Sequence, residues 1–248
     1  MLKRERQAYI LHQLNLHNKV LSTDLSQLIK VSDDTIRRDL QELAEENKLI
    51  KVHGGALSPS FNNHNSPPDA VYCLKHKQLI AKKAATLIKD GMFVLTTGGT
   101  TIMELARTLP SELHATFISG SIPVVCEYMN HPNIEVIVIG DKVSKNSKLT
   151  AGIEAISQIK LLNADLCLMG INALDISNVT DNDWEVVQVK KAMMQSSRKT
   201  ACLTISEKIN KIQPIQICKT ANIDILITEL SPDDPLLRPY AELGIRIL

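Results

Sequence analysis

The segment VSDDTIRRDL, residues 31–40, begins a short amphipathic helix. Ser32 is a good N-cap residue, and the two aspartates after it lie where the positive end of the helix dipole favours acidic groups. Helical spacing predicts one buried face, made of Ile36, Leu40 and Leu43. The remaining surface carries Thr35, Arg37, Arg38 and Gln41. The helix is therefore expected to present a polar, partly basic face away from the core.

Two helical segments precede this helix and a hairpin follows it. Apolar residues at helical spacing predict helices around residues 4–17 and 21–29. Residues 49–53 alternate like a strand, and Gly54-Gly55 turns the chain back towards Ala56 and Leu57. The order helix, helix, turn, helix, hairpin predicts a winged helix-turn-helix domain at residues 1–57.

The pattern changes after a stretch rich in Pro, Ser and Asn. Residues 58–74 are predicted to be a linker, because they lack the apolar residues needed to order themselves strongly. From residue 75 to 248, helical segments separate most of the short apolar runs of β type. The runs lie at 93–95, 115–118, 134–139, 166–169, 200–205 and 223–227. Alternating strands and helices predict an α/β domain with a mostly parallel sheet.

Composition narrows the class of protein. The hydrophobic share of 44% and the charged share of 22% are ordinary for a globular chain. No segment reads as a signal peptide or a membrane span. The five cysteines lie outside C-x-x-C pairs, which favours a reducing cytoplasm without disulfides or structural metal. We therefore expect a cytoplasmic protein with no cofactor, no metal and no membrane contact.

Charge and aromatic content bear on the kind of nucleic acid. Aromatic residues make up only 3% of the chain, which argues against a stacking platform for single strands. The net charge of +1 shows no general basic excess. Any contact with DNA must therefore come from basic groups gathered on one face.

Several motifs resemble those of one protein family. VSDDTIRRDL, followed by Leu43 and by HGGA at residues 53–56, resembles the signature of the DeoR family of bacterial repressors. That signature reads roughly V-S-x-x-T-I-R-R-D-L and then H-G-G-A. Beyond the linker, the matching positions are Asp90-Gly91, Gly99-Thr100-Thr101, Gly140, Gly170 and residues 189–193. The resemblance covers nearly the whole chain and is closest in the first 57 residues.

The resemblance implies a transcription regulator, usually a repressor of sugar catabolism. It implies a sensor domain similar in fold to ribose-5-phosphate isomerase, which binds a small phosphorylated sugar as its effector. The expected partners are double-stranded operator DNA and further copies of the chain. A dimer or tetramer is expected, because helix-turn-helix proteins usually read paired half-sites. No catalytic residue is assigned.

Six residues are candidates for contacts with DNA. If the helix after Ser32 enters the major groove, Thr35 and Arg38 face base edges, since Arg can bind guanine O6 and N7 together. The candidates for phosphate contacts are Ser32, Arg37, Lys51 and His53. Three alternatives stay open. In the first, Arg38 pairs with Asp34 and Glu42 on a solvated helix face instead of contacting DNA. In the second, Arg37 and Arg38 exchange the roles given above. In the third, His53 only supports the turn of the wing.

The candidate effector site begins at a glycine-rich turn between a strand and a helix. Its residues are Gly98, Gly99, Thr100 and Thr101, where free N–H groups at a helix N-terminus favour an anion. Ser119, Gly120 and Ser121 follow the next strand and are expected to form a second wall. Lys190 and Lys208 are candidate partners for a phosphate. The alternative is an ordinary turn with two solvated lysines.

Three positions depart from the family pattern. Thr97 stands where the family commonly has Asp, and Ser119-Gly120-Ser121 stands where it commonly has T-N-S. Ile205 replaces the leading acid of a later D-x-S-K stretch. The missing carboxylate and amide groups are of the kind that bind sugar hydroxyls. The departures therefore favour either an unusual effector or an altered response of the regulator to its effector.

Two other functions remain open at this point. An isomerase with an appended DNA-binding domain would need a carboxylate base, for which Glu185 is the remaining candidate. A DNA-binding protein with a sensor domain that only oligomerises would respond to no small molecule. Next to Glu185, Asp183 is expected to cap the helix that follows it.

Overall fold

The computed structural model describes residues 1–17, 19–59, 71–144 and 147–248. The chain divides into two compact units, Met1–Leu74 and Lys75–Leu248. Most of the segment predicted as a linker falls at residues 60–70 and so lies outside the described residues. Within the described ranges, no helix combines the length and the apolar character needed to cross a membrane.

The first unit is a winged helix-turn-helix, as the sequence predicts. Its elements are α1 (Lys3–His17), β1 (Lys19–Leu21), α2 (Ser22–Ile29), α3 (Asp33–Glu45), β2 (Ile50–Val52) and β3 (Gly55–Leu57). The three helices bury apolar side chains spaced three or four residues apart, such as Ile10 and Leu14 of α1 and Ile36 and Leu40 of α3. This shared core fixes the orientation of α3.

The strand β1 was not predicted, because three residues are too few to show an alternating pattern. It pairs antiparallel with β3, and β3 pairs antiparallel with β2. Gly55 permits this arrangement, since a Cβ atom at that position would overlap the carbonyl oxygen of Val20. The wing is therefore a three-stranded sheet rather than a simple hairpin.

The second unit is an α/β domain, which confirms the predicted class. Its helices are α4 (Leu74–Ala85), α5 (Thr100–Thr108), α6 (Ile122–Met129), α7 (Ile153–Lys160), α8 (Trp184–Gln195) and α9 (Arg238–Glu242). Its strands are β4 (Phe93–Thr96), β5 (Thr116–Ser119), β6 (Glu135–Val138), β7 (Leu166–Gly170), β8 (Ala173–Leu174), β9 (Asn178–Asp181), β10 (Thr200–Leu203), β11 (Ile215–Lys219), β12 (Ile225–Ile227) and β13 (Arg246–Ile247).

Seven of these strands form one sheet in the order β13-β12-β10-β7-β4-β5-β6, and every pairing in it is parallel. Most residues of the central strands are buried, as Leu95 of β4 and Cys167 and Met169 of β7 illustrate. This burial explains their continuous apolar sequences. Because the strands are parallel, their carboxyl ends lie along the same edge of the sheet, which we call the carboxyl edge.

A second sheet lies beside the main one and was not predicted. β8, β9 and β11 form it in the order β11-β9-β8, with antiparallel pairing. β8 has two residues and β11 contains a register shift between Gln216 and Cys218, so neither shows a clear period of two. β9 ends at Asp181, which this sheet places next to the carboxyl end of β7.

Candidate functional site

The start of α3 is held by its N-cap residue. Ser32 Oγ accepts a hydrogen bond from the Thr35 N–H at 3.3 Å, and the two hydroxyl oxygens lie 2.9 Å apart. The predicted capping by Ser32 is therefore confirmed. Both hydroxyl groups lie at the first turn of α3, which is where a helix entering the major groove meets base edges.

The two arginines of α3 are exposed. Arg37 Nη1 lies 3.9 Å from Asp34 Oδ1, a loose pair between two solvated side chains. Within the described ranges no ion pair to Arg38 is present. Glu42, the other acid considered for Arg38, accepts instead from Lys3 at 2.7 Å and Gln7 at 2.8 Å. The hydrogen bond from Lys3 lowers the pKa of Glu42.

A buried ion pair fastens α3 to α1. Arg6 donates from Nε to Asp39 Oδ2, and from Nη2 to Asp39 Oδ1 at 3.2 Å. The Asp39 side chain is only 2% exposed and that of Arg6 12%. The hydrogen bond to Asp39 raises the pKa of Arg6. Asp39 and Glu42 of α3 are thus paired with groups of α1, while Arg37 and Arg38 are exposed on α3 together with Asp34.

The wing adds basic groups near α3. Lys51 of β2 is exposed, and its Nζ donates to Gln41 Oε1 on α3 at 2.8 Å. His53 is exposed in the turn before β3. Lys51 is therefore beside the outer side of α3, and the sequence candidates of this unit are all solvent-accessible.

In the second unit, the glycine-rich turn joins β4 to α5 at the carboxyl edge. Gly99 has a φ of +110°, which favours glycine, and a Cβ atom added there would meet no other atom within 4 Å. A Cβ at Gly98 would lie 2.8 Å from Ser121 Oγ. The turn therefore touches the segment after β5 on one side and is open at Gly99, immediately before Thr100 and Thr101.

The departure at Thr97 has a structural role. Its side chain is buried, and Oγ1 accepts a hydrogen bond from the Gly170 N–H at 2.9 Å. The hydroxyl thus joins the end of β4 to the end of β7. An aspartate at this position would place a carboxylate in the same buried space.

The segment after β5 is also fixed by its own contacts. Ser119 Oγ donates to the Thr96 carbonyl at 2.8 Å and accepts from the Ser121 N–H at 3.2 Å. A Cβ atom at Gly120 would overlap Thr150 Oγ1. The asparagine of the family pattern does not fit at Gly120 while Thr150 stays in place, so this departure is coupled to the residue opposite.

Lys190 of α8 is buried, so its interpretation as a solvated lysine is wrong. Its Nζ donates to Asp181 Oδ2 at 2.6 Å and to the Gly170 carbonyl at 2.8 Å. Asp181 also accepts from Asn172 and from the Asn182 N–H, each at 2.7 Å. Burial disfavours the charged carboxylate, but the charge and hydrogen bond of Lys190 outweigh it and lower the pKa of Asp181.

Lys208 lies beside this pair and makes only long contacts. Its Nζ is 3.4 Å from the Ile171 carbonyl and 3.5 Å from Asn172 Oδ1. Burial lowers the pKa of Lys208 to about 7, and repulsion from Lys77 and Lys190 acts in the same direction. Asp181 and Glu207 offset part of this effect. Lys208 is a poorly stabilised cation at the carboxyl edge.

The structure thus brings the predicted effector residues to one edge of the sheet, linked through the Thr97–Gly170–Lys190 contacts. The sequence did not single out Lys77 of α4, which lowers the pKa of Lys208, or Asn172, which contacts Asp181 and Lys208. Lys77 carries no signal, because it reads as one of several lysines on a surface helix. Asp183 caps α8 as expected, accepting from the N–H groups of Glu185 and Val186 at 3.1 and 3.2 Å.

Comparison with known proteins gives matches in both units. The model of a DeoR-like helix-turn-helix domain matches residues 6–61, and that of the DeoR C-terminal sensor domain matches residues 73–230. The chain belongs to the DeoR family of transcriptional regulators. This confirms the resemblance found in the sequence motifs.

Other members of the DeoR family align over nearly the whole chain. The HTH-type transcriptional regulator GolR of Listeria innocua is 31% identical, over 98% of this chain and 97% of the relative. The HTH-type transcriptional repressor GlcR of Bacillus subtilis is 29% identical, over 100% and 96%. The glycerol-3-phosphate regulon repressor of Escherichia coli is 25% identical, over 100% and 99%. These DeoR-family relatives are named as regulators of transcription.

Solved structures give weaker matches. The translation initiation factor eIF-2B of Pyrococcus horikoshii is 14% identical with a TM-score of 0.47, covering 93% of this chain and 83% of that one. The ribose 5-phosphate isomerase A of Methanocaldococcus jannaschii is 18% identical with a TM-score of 0.38, covering 54% and 53%. Such scores describe partial overlap, and nothing about this DeoR-family chain's activity follows from them.

Proposed function

We propose that the chain is a repressor of a sugar-catabolic operon, and that a phosphorylated sugar bound at the carboxyl edge controls its affinity for operator DNA. The proposal has an effector half and a DNA half. The effector half is supported by one observation, that the open glycine turn, Lys190 and Lys208 all lie at the carboxyl edge of the sheet. The proposed binding to DNA rests on family membership and on the exposed arginines Arg37 and Arg38 of α3.

In the DNA half, α3 lies in the major groove. Arg38 is exposed and without an ion pair in the described structure, so its guanidinium is available for a bidentate contact with guanine. Thr35 is the second candidate for a base contact. Ser32, Arg37, Lys51 and His53 hold the phosphate backbone and set the register. Two or more copies of the chain bind paired half-sites.

In the effector half, the phosphate group binds at the first turn of α5. The N–H groups at the start of a helix have no partner within the helix, and the helix dipole favours an anion there. Gly99 leaves space for the approach, with Thr100 and Thr101 behind it. Lys208 supplies the positive charge, since Lys190 already donates to Asp181 and Gly170.

The charges of the site favour a strongly anionic ligand. Lys77, Lys190 and Lys208 interact electrostatically, while the acids acting on Lys208 are Asp181 and Glu207. A phosphate monoester carries between one and two negative charges at neutral pH, and it would stabilise the Lys208 ammonium. The name of one relative, the glycerol-3-phosphate regulon repressor, also refers to a phosphorylated compound.

The proposal assigns no catalytic residue. Sugar isomerisation needs a carboxylate base over the reacting carbon. Asp181 is buried and accepts from Lys190, Asn172 and Asn182, while Ile205 brings no carboxylate to the edge. Glu185 is exposed at the start of α8. Turnover of a pentose or hexose phosphate by the purified chain, lost in Glu185→Gln, would support the isomerase alternative instead.

A thermal-melt panel tests the effector half. Each sugar phosphate is compared with its unphosphorylated sugar, using the wild-type chain and Lys208→Met. A ligand at about 100 times its Kd adds about 2.7 kcal/mol of stability, a shift of several degrees for a domain of this size. We expect a shift with one phosphorylated sugar that is reduced in Lys208→Met. No shift with any phosphate would contradict the proposed effector.

A further inference from the structure

The outer edge of β6 is open. Among the described strands, β6 comes last in the main sheet and pairs with β5 alone. The N–H groups of Glu135 and Ile139 donate inwards, to carbonyl groups of β5 and of the residue before it. Because backbone groups alternate in direction along a strand, those of Val136 and Val138 point outwards. An edge of this kind is a template for pairing with another strand.

The side chains at this edge are apolar and exposed. Ile137 is exposed, and Val138 has 48% of its surface accessible. Just past the carboxyl end of β6, Val143 and Ile153 add further exposed apolar surface. Asp141 accepts a hydrogen bond from the backbone of α7, which holds the start of that helix beside this segment. Proteins often protect an open edge with lysine or proline, and the sequence of β6, EVIV, contains neither.

The opposite edge of the main sheet is better protected. β13 has only two residues, and one of them is the exposed Arg246. A short edge strand with a charged side chain is among the devices by which proteins prevent pairing between sheets. Of the two edges, β6 is therefore the one suited to pairing with a further strand.

The charges at the two ends of β6 favour a second copy of the chain as the occupant. Glu135 is exposed at the amino end, where its carboxylate accepts from Thr116 Oγ1 at 3.1 Å. Lys142 is exposed past the carboxyl end, while Asp141 accepts from the N–H groups of Lys142 and Ala155. In an antiparallel pair of copies, the acidic end of each strand lies towards the basic end of the other. A parallel pair would bring like charges together, which is destabilising.

We propose that β6 pairs antiparallel with β6 of a second copy about a two-fold axis, joining two seven-stranded sheets into one continuous sheet. Residues with outward backbone groups pair with each other, so Val136 of each copy exchanges two hydrogen bonds with Val138 of the other. Ile137 then lies at the axis, facing Ile137 of the second copy. The same surface serves both copies, as two-fold symmetry requires. This inference rests on the proposed function only in needing more than one copy.

Analytical ultracentrifugation of the full chain, without DNA or sugar phosphate, tests the interface. We expect the wild type to have two or four times the mass of one chain. Val138→Lys is expected to halve this mass, because it places a charge on each side of the axis. Val136→Pro should do the same, since it removes an outward N–H and leaves the bonds to β5 intact. Ile176→Lys is the matched control, 45% exposed between β8 and β9, and should keep the wild-type mass.

A disulfide tests the register. The background is Cys126→Ser, which removes an exposed cysteine. In Ile137→Cys the two Cα atoms at the axis lie about 4.5 Å apart, within reach of a disulfide. Glu135→Cys is the control on the same face of the strand, where the two Cα atoms lie roughly 14 Å apart, beyond that reach. Mild oxidation is expected to link the Ile137→Cys chains into covalent dimers and to leave Glu135→Cys unlinked.

Three results would overturn the inference. The first is a monomeric wild type, and the second is a wild-type mass in both Val138→Lys and Val136→Pro. The third is Ile137→Cys that forms no more covalent dimer than Glu135→Cys, a comparison that holds even if Val136→Pro folds poorly. Because neither measurement includes DNA or effector, its failure leaves the proposed function to its own tests. A failed effector likewise leaves the pairing of β6 standing.

Discussion

Removing Arg6 should disrupt the DNA-binding unit although Arg6 is not among the residues proposed to contact DNA. Arg6→Met leaves Asp39 charged, buried and without its ionic partner on the inner side of α3. The position of α3 depends on the packing of this side against α1. The variant is therefore expected to lower the free energy of unfolding of residues 1–74 and to weaken DNA binding as a consequence.

The size of the effect follows from the burial of the pair. Breaking a buried ion pair by removing one partner costs about 3–5 kcal/mol, because the other charge stays desolvated. With Arg6 12% exposed and Asp39 2% exposed, water replaces little of the lost interaction. We expect about 3 kcal/mol, the lower end, since the pair lies near the surface of a small unit. At 1.4 kcal/mol per tenfold, amide exchange through unfolding should accelerate by about a hundredfold.

Hydrogen exchange of the full chain measures this directly, with α5 in the second unit as an internal reference. Arg4→Met is the matched control, because Arg4 is an exposed arginine on the same helix. The double variant Arg6→Met with Asp39→Leu removes both charges and should recover most of the stability. If α1 and α3 exchange equally fast in Arg6→Met, Arg4→Met and the wild type, the ion pair does not hold α3.

Arg38→Ala should lower affinity for a selected duplex by about 1–3 kcal/mol and relax its sequence preference, whereas Arg37→Ala weakens all sequences and reduces the salt slope by about one. Anisotropy titrations at several salt concentrations separate the two, and identical behaviour would contradict these roles. Because the pKa of Lys208 is lowered to about 7, a fall in pH from about 8 to about 7 charges this lysine and should strengthen sugar-phosphate binding. Calorimetry should find this pH dependence flattened in Lys208→Met; an unchanged dependence would exclude Lys208. Gly120→Ala should destabilise the second unit by about 1–3 kcal/mol through overlap with Thr150, and Thr150→Ala should restore it. If Gly120→Ala alone melts at the same temperature as the wild type, Gly120 and Thr150 are not coupled.

The features that could be predicted from the sequence are those encoded by local patterns of residues. The cap at Ser32, the buried face of α3 and the glycine turn before Thr100 are all encoded within a few neighbouring residues, and the structure places them as expected. The parallel sheet follows from the alternation of apolar runs and helices. The parallel order then brings the glycine turn and the Ser119–Ser121 segment to the same edge.

The contacts that give the site its charge join distant segments and have no local signal. Asp39 and Arg6 lie 33 residues apart, and the influence of Lys77 on the pKa of Lys208 joins α4 to the segment after β10. The short strands β8 and β9 carry Asp181 to Lys190, but they are too short to show a period. The departure at Gly120 is likewise explained only by Thr150, which faces it across the fold.

The central claim is that DNA affinity is controlled by a phosphorylated sugar. It is tested most directly by fluorescence anisotropy of the full chain on a duplex that the chain selects from a random pool, titrated with paired sugars and sugar phosphates. We predict that one sugar phosphate changes the Kd for DNA by about 5- to 150-fold, the usual range of allosteric coupling, and that its parent sugar does not. A sequence-specific duplex whose affinity is unchanged by every phosphate would contradict the account.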